Sequence, residues 1–170
     1  GLRSRRGEQT QLVIHTCGGD IWNIARIAEA VHQHGNVDVW VPYRAMSGGC
    51  LIAIAAKRIV MWPDACLGPL DPQLLLGFSG FYSAHTLERV IEEKGAKDAD
   101  EFWLASRAES SRVLNDVSAM IKRFQVPAGA RERLINTDHS HGFPIFFADA
   151  LTLGLRVVPA PADFDRRTLV

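Results

Sequence analysis

A surplus of either charge is missing from this 170-residue chain: Lys plus Arg and Asp plus Glu are 19 each, and the formal net charge is zero. A nucleic-acid clamp or a polybasic membrane binder needs a surplus, so neither is expected. Long apolar runs are missing too. The longest aliphatic run, Leu51 to Ala56, is far short of the roughly 20 residues of a membrane span. Cysteine is scarce and odd in number. Cys17, Cys50 and Cys66 cannot pair without a leftover and lack the close spacing of a zinc site. They read as small buried residues of a reducing compartment, which makes a cytoplasmic location the expectation. Arg3, Arg5 and Arg6 are not followed by an apolar stretch, so the start is not an intact signal peptide. The chain begins at Gly1 and reads as processed or truncated. No Gly-x-x-x-x-Gly-Lys and no Gly-x-Gly-x-x-Gly occurs, which argues against a phosphate-binding loop.

What is present is the material of one globular domain. Hydrophobic residues make up 47%, enough for a sizeable core, and charged residues only 22%, too few for a disordered chain. No linker divides residues 1–170, and the tail from 159 to 170 is expected to be peripheral. Gln11 to Thr16 is a β-branched run ending at Gly18-Gly19 and predicts a buried strand. Asp20 then caps a helix with Ile21, Ile24, Ala25, Ile27, Ala28 and Val31 on one face, closed by Gly35. Val37 to Val41 predicts a second strand, stopped by Pro42. Cys50 to Lys57 predicts an apolar helix and Arg58 to Trp62 a third strand. That alternation implies right-handed βαβ crossovers and a parallel sheet.

Beyond it lie a turn-rich segment at Leu67 to Gln73 and a loop at Leu74 to Gly80. Helices are predicted over His85 to Glu93 and Asp100 to Phe124, then from Pro127 and over Ile145 to Leu153. The tryptophans, Trp22, Trp40, Trp62 and Trp103, fall on core-facing periods and read as packing.

The candidate site is marked by two glycine pairs, Gly18-Gly19 and Gly48-Gly49, each where a strand gives way to a helix. Backbone N–H groups at such a junction are unpaired and favour negative charge. Ser47 precedes the second pair. A serine there is placed to attack a carbonyl while amides from both junctions hold the oxyanion. Taken alone, Ser-Gly-Gly reads more often as a helix cap followed by close packing.

The context adds more. His15-Thr16-Cys17-Gly18-Gly19, Pro42-Tyr43-Arg44-Ala45-Met46-Ser47-Gly48-Gly49 and Leu67-Gly68-Pro69-Leu70-Asp71-Pro72-Gln73 occur in that order. Together with Ser140-His141-Gly142-Phe143-Pro144-Ile145 and Leu153-Gly154-Leu155, they resemble the serine dehydrogenase proteinase family. Its members are ClpP-like serine peptidases related to the signal peptide peptidases. The resemblance implies an α/β fold of Clp/crotonase type, a spiral of ββα units with a mainly parallel sheet and flanking helices. It implies Ser47 as nucleophile, with the amides of Gly18, Gly19 and Gly48 as oxyanion hole. Cys17 stands where the family usually has proline and Cys50 where it usually has threonine. The family normally carries a further strand, often with a membrane anchor, before the first glycine pair. Only ten residues precede Gln11 here, so that segment is expected to be missing, and membrane association would come only through it.

The resemblance also bears on the base. Where Clp-type peptidases place a histidine, this chain reads Asp71-Pro72-Gln73. Signal peptide peptidases use a lysine in a Gly-x-Tyr-Lys-Asp-like context, and here Gly95-Ala96-Lys97-Asp98 puts Lys97 fifty residues after Ser47. Lys94 is the second candidate and His85 the third; a lysine serves only if burial lowers its pKa. His139 and His141, with Asp138, form an H-x-H that reads as a polar loop rather than a metal site. His15 reads as a residue that orients backbone.

The implied activity is peptide-bond hydrolysis through an acyl-enzyme, by a Ser–Lys dyad, without metal or cofactor. Its substrate would be a peptide or unfolded protein, and the assembly a homo-oligomer joined through the Asp100 to Phe124 helix. The alternatives are a crotonase-like acyl-CoA enzyme, which needs an adenine pocket but no nucleophile, and an inactive scaffold of the same fold.

Overall fold

The computed structural model describes residues 6–75, 80–95, 100–135 and 142–169. Strand β1 (Thr10–Val13) leads to helix α1 (Ile21–His34), strand β2 (Val37–Val41), the short strand β3 (Arg44–Ala45) and helix α2 (Gly48–Ile54). Then follow β4 (Arg58–Met61), β5 (Cys66–Leu67), and β6 (Gln73–Leu75) with β7 (Phe81–Ser83). Helices α3 (Ala84–Lys94), α4 (Glu101–Arg123) and α5 (Ala128–Ile135) come next. The chain closes with β8 (Ile145–Phe146), α6 (Phe147–Thr152), β9 (Val157–Pro159) and a 3-10 turn, Arg166–Leu169.

The main sheet has the order β1-β2-β4-β9, with every neighbouring pair parallel. A smaller sheet, β3-β5-β8, stands beside it, and a single parallel bridge from Thr16 to Ala45 extends its row. β2 thus passes into the short strand β3 before helix α2. The parallel main sheet with flanking helices is the one expected from the alternation of elements.

Local chemistry explains the boundaries. The Asp20 side chain accepts from the Asn23 N–H at the start of α1, and Gly35, at φ 77°, ends it. Ile24, Ala28, Val31 and His34 are the buried face, while Trp22 is 62% exposed and Ile27 43%, against the expectation that both face the core. All seven residues of α2 are buried, so it is apolar all round, as a central helix must be. The core between the main sheet and helices α1, α2 and α4 contains Val39, Leu51, Ile54, Ile59 and Ile121. Each such side chain, fully buried, contributes about 1.5–3 kcal/mol.

Two arginines tie elements together, one of them through a buried carboxylate in the sheet. Asp38 in β2 is buried and sits in register with Arg58 of β4, whose Nε and Nη2 donate to its two carboxylate oxygens at 3.0 and 2.5 Å. This fork holds the carboxyl below the usual range. Arg156 ties helix ends together: its Nη2 donates to the Ile54 carbonyl at 2.7 Å and its Nη1 to that of Phe124 at 3.2 Å. Those carbonyls close α2 and α4, where a cation also suits the helix dipole. Arg156→Ala is expected to lower stability by about 2 kcal/mol, the scale of hydrogen bonds from a charged donor. A urea midpoint unchanged from wild type would contradict this role.

Several boundaries differ from the sequence reading. The Ile145 to Leu153 segment starts as strand β8, because Ile145 and Phe146 pair with Leu67 and Cys66, and turns helical only at Phe147. Strand β9 was hidden by Pro159, which is tolerated because β9 is an edge strand. Leu74 and Leu75, expected in a loop, pair with Tyr82 and Phe81. Cys50 is buried as expected, whereas Cys66 is half-buried and Cys17 exposed. The apolar stripe of α4, Val113, Val117 and Ile121 with Ser106 and Ser110, packs within the chain. Among the described residues no helix is long and apolar enough to cross a membrane.

Candidate active site

Ser47 occupies the turn between β3 and α2 at φ 48° and ψ −120°. Positive φ is strained for a side chain with a Cβ, costing roughly 1–3 kcal/mol. An ordinary N-cap serine has extended backbone and accepts from the helix N–H groups. Ser47 does neither: its side chain makes no capping hydrogen bond. The hydroxyl is therefore left for something else, and helix-cap chemistry does not explain the residue.

The backbone around it is held from both sides. The Met46 N–H donates to the Thr16 carbonyl at 3.1 Å, and the Thr16 N–H donates to the Arg44 carbonyl at 3.1 Å. The Thr16 hydroxyl accepts from the Gly18 N–H at 3.1 Å and donates to the Gly18 carbonyl at 3.0 Å, shaping the turn at Cys17. Gly18 lies at φ 128°, and a Cβ built on it would meet the Ser47 Cβ at 2.9 Å. Only glycine lets the two junctions come this close.

The second pair serves packing as well. A Cβ on Gly48 would strike Ile24 of α1 at 2.7 Å, and one on Gly49 would strike the Thr16 methyl at 2.4 Å. Among the described residues the Gly19 and Gly48 N–H groups donate no hydrogen bond, whereas that of Gly18 is engaged by Thr16.

These groups sit on the wall of a cleft of about 790 Å³. Cys17, Gly18, Gly19, Ser47 and Gly48 line one end. Ile21 and Trp22 of α1, Leu51 of α2, Leu70 to Gln73, and Glu109, Val113 and Val117 of α4 line the rest. The Leu70 N–H donates to the Leu134 carbonyl at 2.7 Å, fixing one wall to α5. The lining carries the carboxyl groups of Asp20, Asp71 and Glu109, and no lysine, arginine or histidine among the described residues. Cys50, three residues after Ser47, is fully buried, and burial pushes its thiol up to about 12, so it is no rival nucleophile.

Of the candidate bases, Lys94 and His85 are among the described residues and neither lines this cleft. Lys94 is the exposed last residue of α3 and does not line it. His85, on the first turn of α3, has its Nδ1 3.8 Å from Glu88 and is likewise not a lining residue. Lys97 lies outside the described residues, as do Asp138, His139, Ser140 and His141. His15 stacks at 5.2 Å on Tyr43. Sequence reasoning missed the α4 wall, because Glu109, Val113 and Val117 carry no motif, only a helical period that also fits plain core.

The chain thus carries, beside a parallel sheet, a serine at a strained strand-to-helix turn against a glycine junction. The profile of the ClpP-like SDH-type serine proteinase family matches residues 4–162, and the chain belongs to that family. It is 36% identical over 154 residues to the uncharacterized protein MJ0137 of Methanocaldococcus jannaschii, covering 86% of this chain and 52% of that protein. A second uncharacterized protein of that organism, MJ1495, is 32% identical over 153 residues, covering 86% and 51%. The chain spans about half the length of the curated relatives it matches.

Among solved structures it is similar to the 1510-N membrane-bound stomatin-specific protease. A serine-to-alanine variant of that protease superposes with TM-score 0.61 at 20% identity, over 91% of this chain and 65% of that one. A lysine-to-alanine variant in complex with a substrate peptide gives 0.61 at 20%, over 92% and 63%. At that identity the likeness establishes the fold.

Proposed function

We propose that this chain hydrolyses peptide bonds through an acyl-enzyme on Ser47. One observation carries the reading: a strained, uncapped serine stands at the wall of a cleft beside two undonated amides, those of Gly19 and Gly48. The Ser47 oxygen attacks the scissile carbonyl carbon while a base takes its proton. The Gly19 and Gly48 N–H groups receive the oxyanion, with Gly18 keeping the turn narrow enough for them to converge. Collapse of the tetrahedral intermediate expels the amine, which leaves with the proton, and water then hydrolyses the ester. Lys97 is the proposed base, on its position after the glycine that ends α3, with Lys94 second.

A cleft of this volume, walled in part by Leu51, Leu70, Val113 and Val117, suits a segment of unfolded chain. Ser47→Ala removes the attacking atom and little else. It is expected to abolish hydrolysis of an unfolded polypeptide such as casein, with the thermal midpoint close to wild type. Hydrolysis that persists at the wild-type rate in the purified variant would rule the reading out.

A further inference from the structure

Resting on that reading of Ser47, we infer that Arg166 is a positioning residue, clamping together the two loops from which the Ser47 strand and one wall of the cleft emerge. It lies beyond the residues matched by the family profile. Its Nη1 and Nη2 donate to the two oxygens of Asp64 at 2.7 Å each, and Nη1 also donates to the Pro42 carbonyl at 3.1 Å. The guanidinium lies over the Tyr43 ring, 4.5 Å from its centroid. One side chain therefore engages two separate segments of chain.

Those segments are the roots of the site. Pro42 and Tyr43 join β2 to β3, and Ser47 follows two residues after β3. Asp64 lies between β4 and β5, and β5 leads directly into Gly68 and the Leu70 to Gln73 wall. The Cys66 N–H donates to the Tyr43 carbonyl at 2.9 Å, so a shift at either root is passed to the other.

Phe164 packs against Trp40 of β2 at 5.2 Å and Trp62 at 6.3 Å, although most of the tail is exposed. The Asp64 side chain is 66% exposed, so its ion pair alone is worth little. The clamp depends on fork, carbonyl and ring being engaged at once, which a planar guanidinium does and an ammonium does not.

The test uses the whole chain with Arg166→Ala, Arg166→Lys and, as control, Arg167→Ala, whose side chain is 82% exposed and forks onto Asp165, two residues away. The first readout is amide hydrogen exchange, which needs no activity. Arg166→Ala should exchange faster at residues 43–48 and 66–71 while β2 keeps its protection. The second is labelling by a fluorophosphonate. The maximal rate should fall about tenfold with half-saturation unchanged, because even sub-ångström misplacement of a reacting group is costly. Arg166→Lys should recover only part of that rate, and Arg167→Ala should match wild type. Unchanged exchange at both segments, or a uniform rise along the chain, overturns the inference. If the wild type itself takes no label, the nucleophile reading fails, and exchange alone still decides whether Arg166 is a clamp.

Discussion

Gly18→Ala is expected to slow reaction at Ser47 on the order of a hundredfold while leaving the chain folded. The added methyl meets the Ser47 Cβ at 2.9 Å, a separation that side-chain carbons do not tolerate. It also forces a residue with a Cβ to φ 128°. Ser47 cannot yield by changing conformation, since its backbone is already at φ 48° and Met46 is tied to Thr16. The strain is relieved only by moving the two junctions apart, which separates the nucleophile from the Gly19 amide. A shift of about 1 Å between reacting groups costs on the order of a hundredfold in rate. Gly129→Ala is the control, because its Cβ would meet nothing within 4 Å and alanine favours helix α5. The check is the second-order labelling rate with a fluorophosphonate. Wild-type labelling in Gly18→Ala would mean the close approach of the junctions has no part in the chemistry.

Lys97→Ala is expected to lower the acylation rate by about 10²- to 10⁴-fold, the usual contribution of a positioned general base. A lysine accepts a proton only when neutral, and its ordinary pKa is about 10.4. The wild-type rate should therefore rise with pH through the folded-state pKa of the lysine and then level. In the variant that rise disappears. Lys94→Ala, at the exposed end of α3, should change the profile little. The reverse pattern would make Lys94 the base. Wild-type profiles in both variants would end the Ser–Lys dyad and leave His85 as the next residue to replace.

Long elements were legible because their signals are local. Val37 to Val41 is framed by Gly35 and Pro42, and α1 by Asp20 and Gly35, so caps and breakers set limits that packing did not move. The short strands were not legible. Arg44–Ala45 and Cys66–Leu67 have no period to read, and they are strands only because each lies against the other in the folded chain. Ile145 and Phe146 merge by composition into the helix after them, and pairing with β5 alone makes them strand.

The glycines and the serine were visible as residues. Their geometry was not, since the positive φ of Ser47 is imposed by Thr16, Gly18 and the packing of α2. Sequence also could not show that Thr16 engages the Gly18 amide while that of Gly19 stays undonated, because both belong to one motif. The reach of Arg166 to Asp64 and Pro42 has no sequence signature at all, as it joins loops far apart in the chain.

The central claim is that Ser47 is a nucleophile, and locating a covalent adduct tests it most directly. The native chain is treated with a fluorophosphonate, digested, and the adduct placed by tandem mass spectrometry. The account predicts a single phosphonyl group on Ser47, with none on the buried Cys50, and no adduct after denaturation before treatment. An adduct on another residue with Ser47 unmodified, or equal labelling of native and denatured chain, would contradict it.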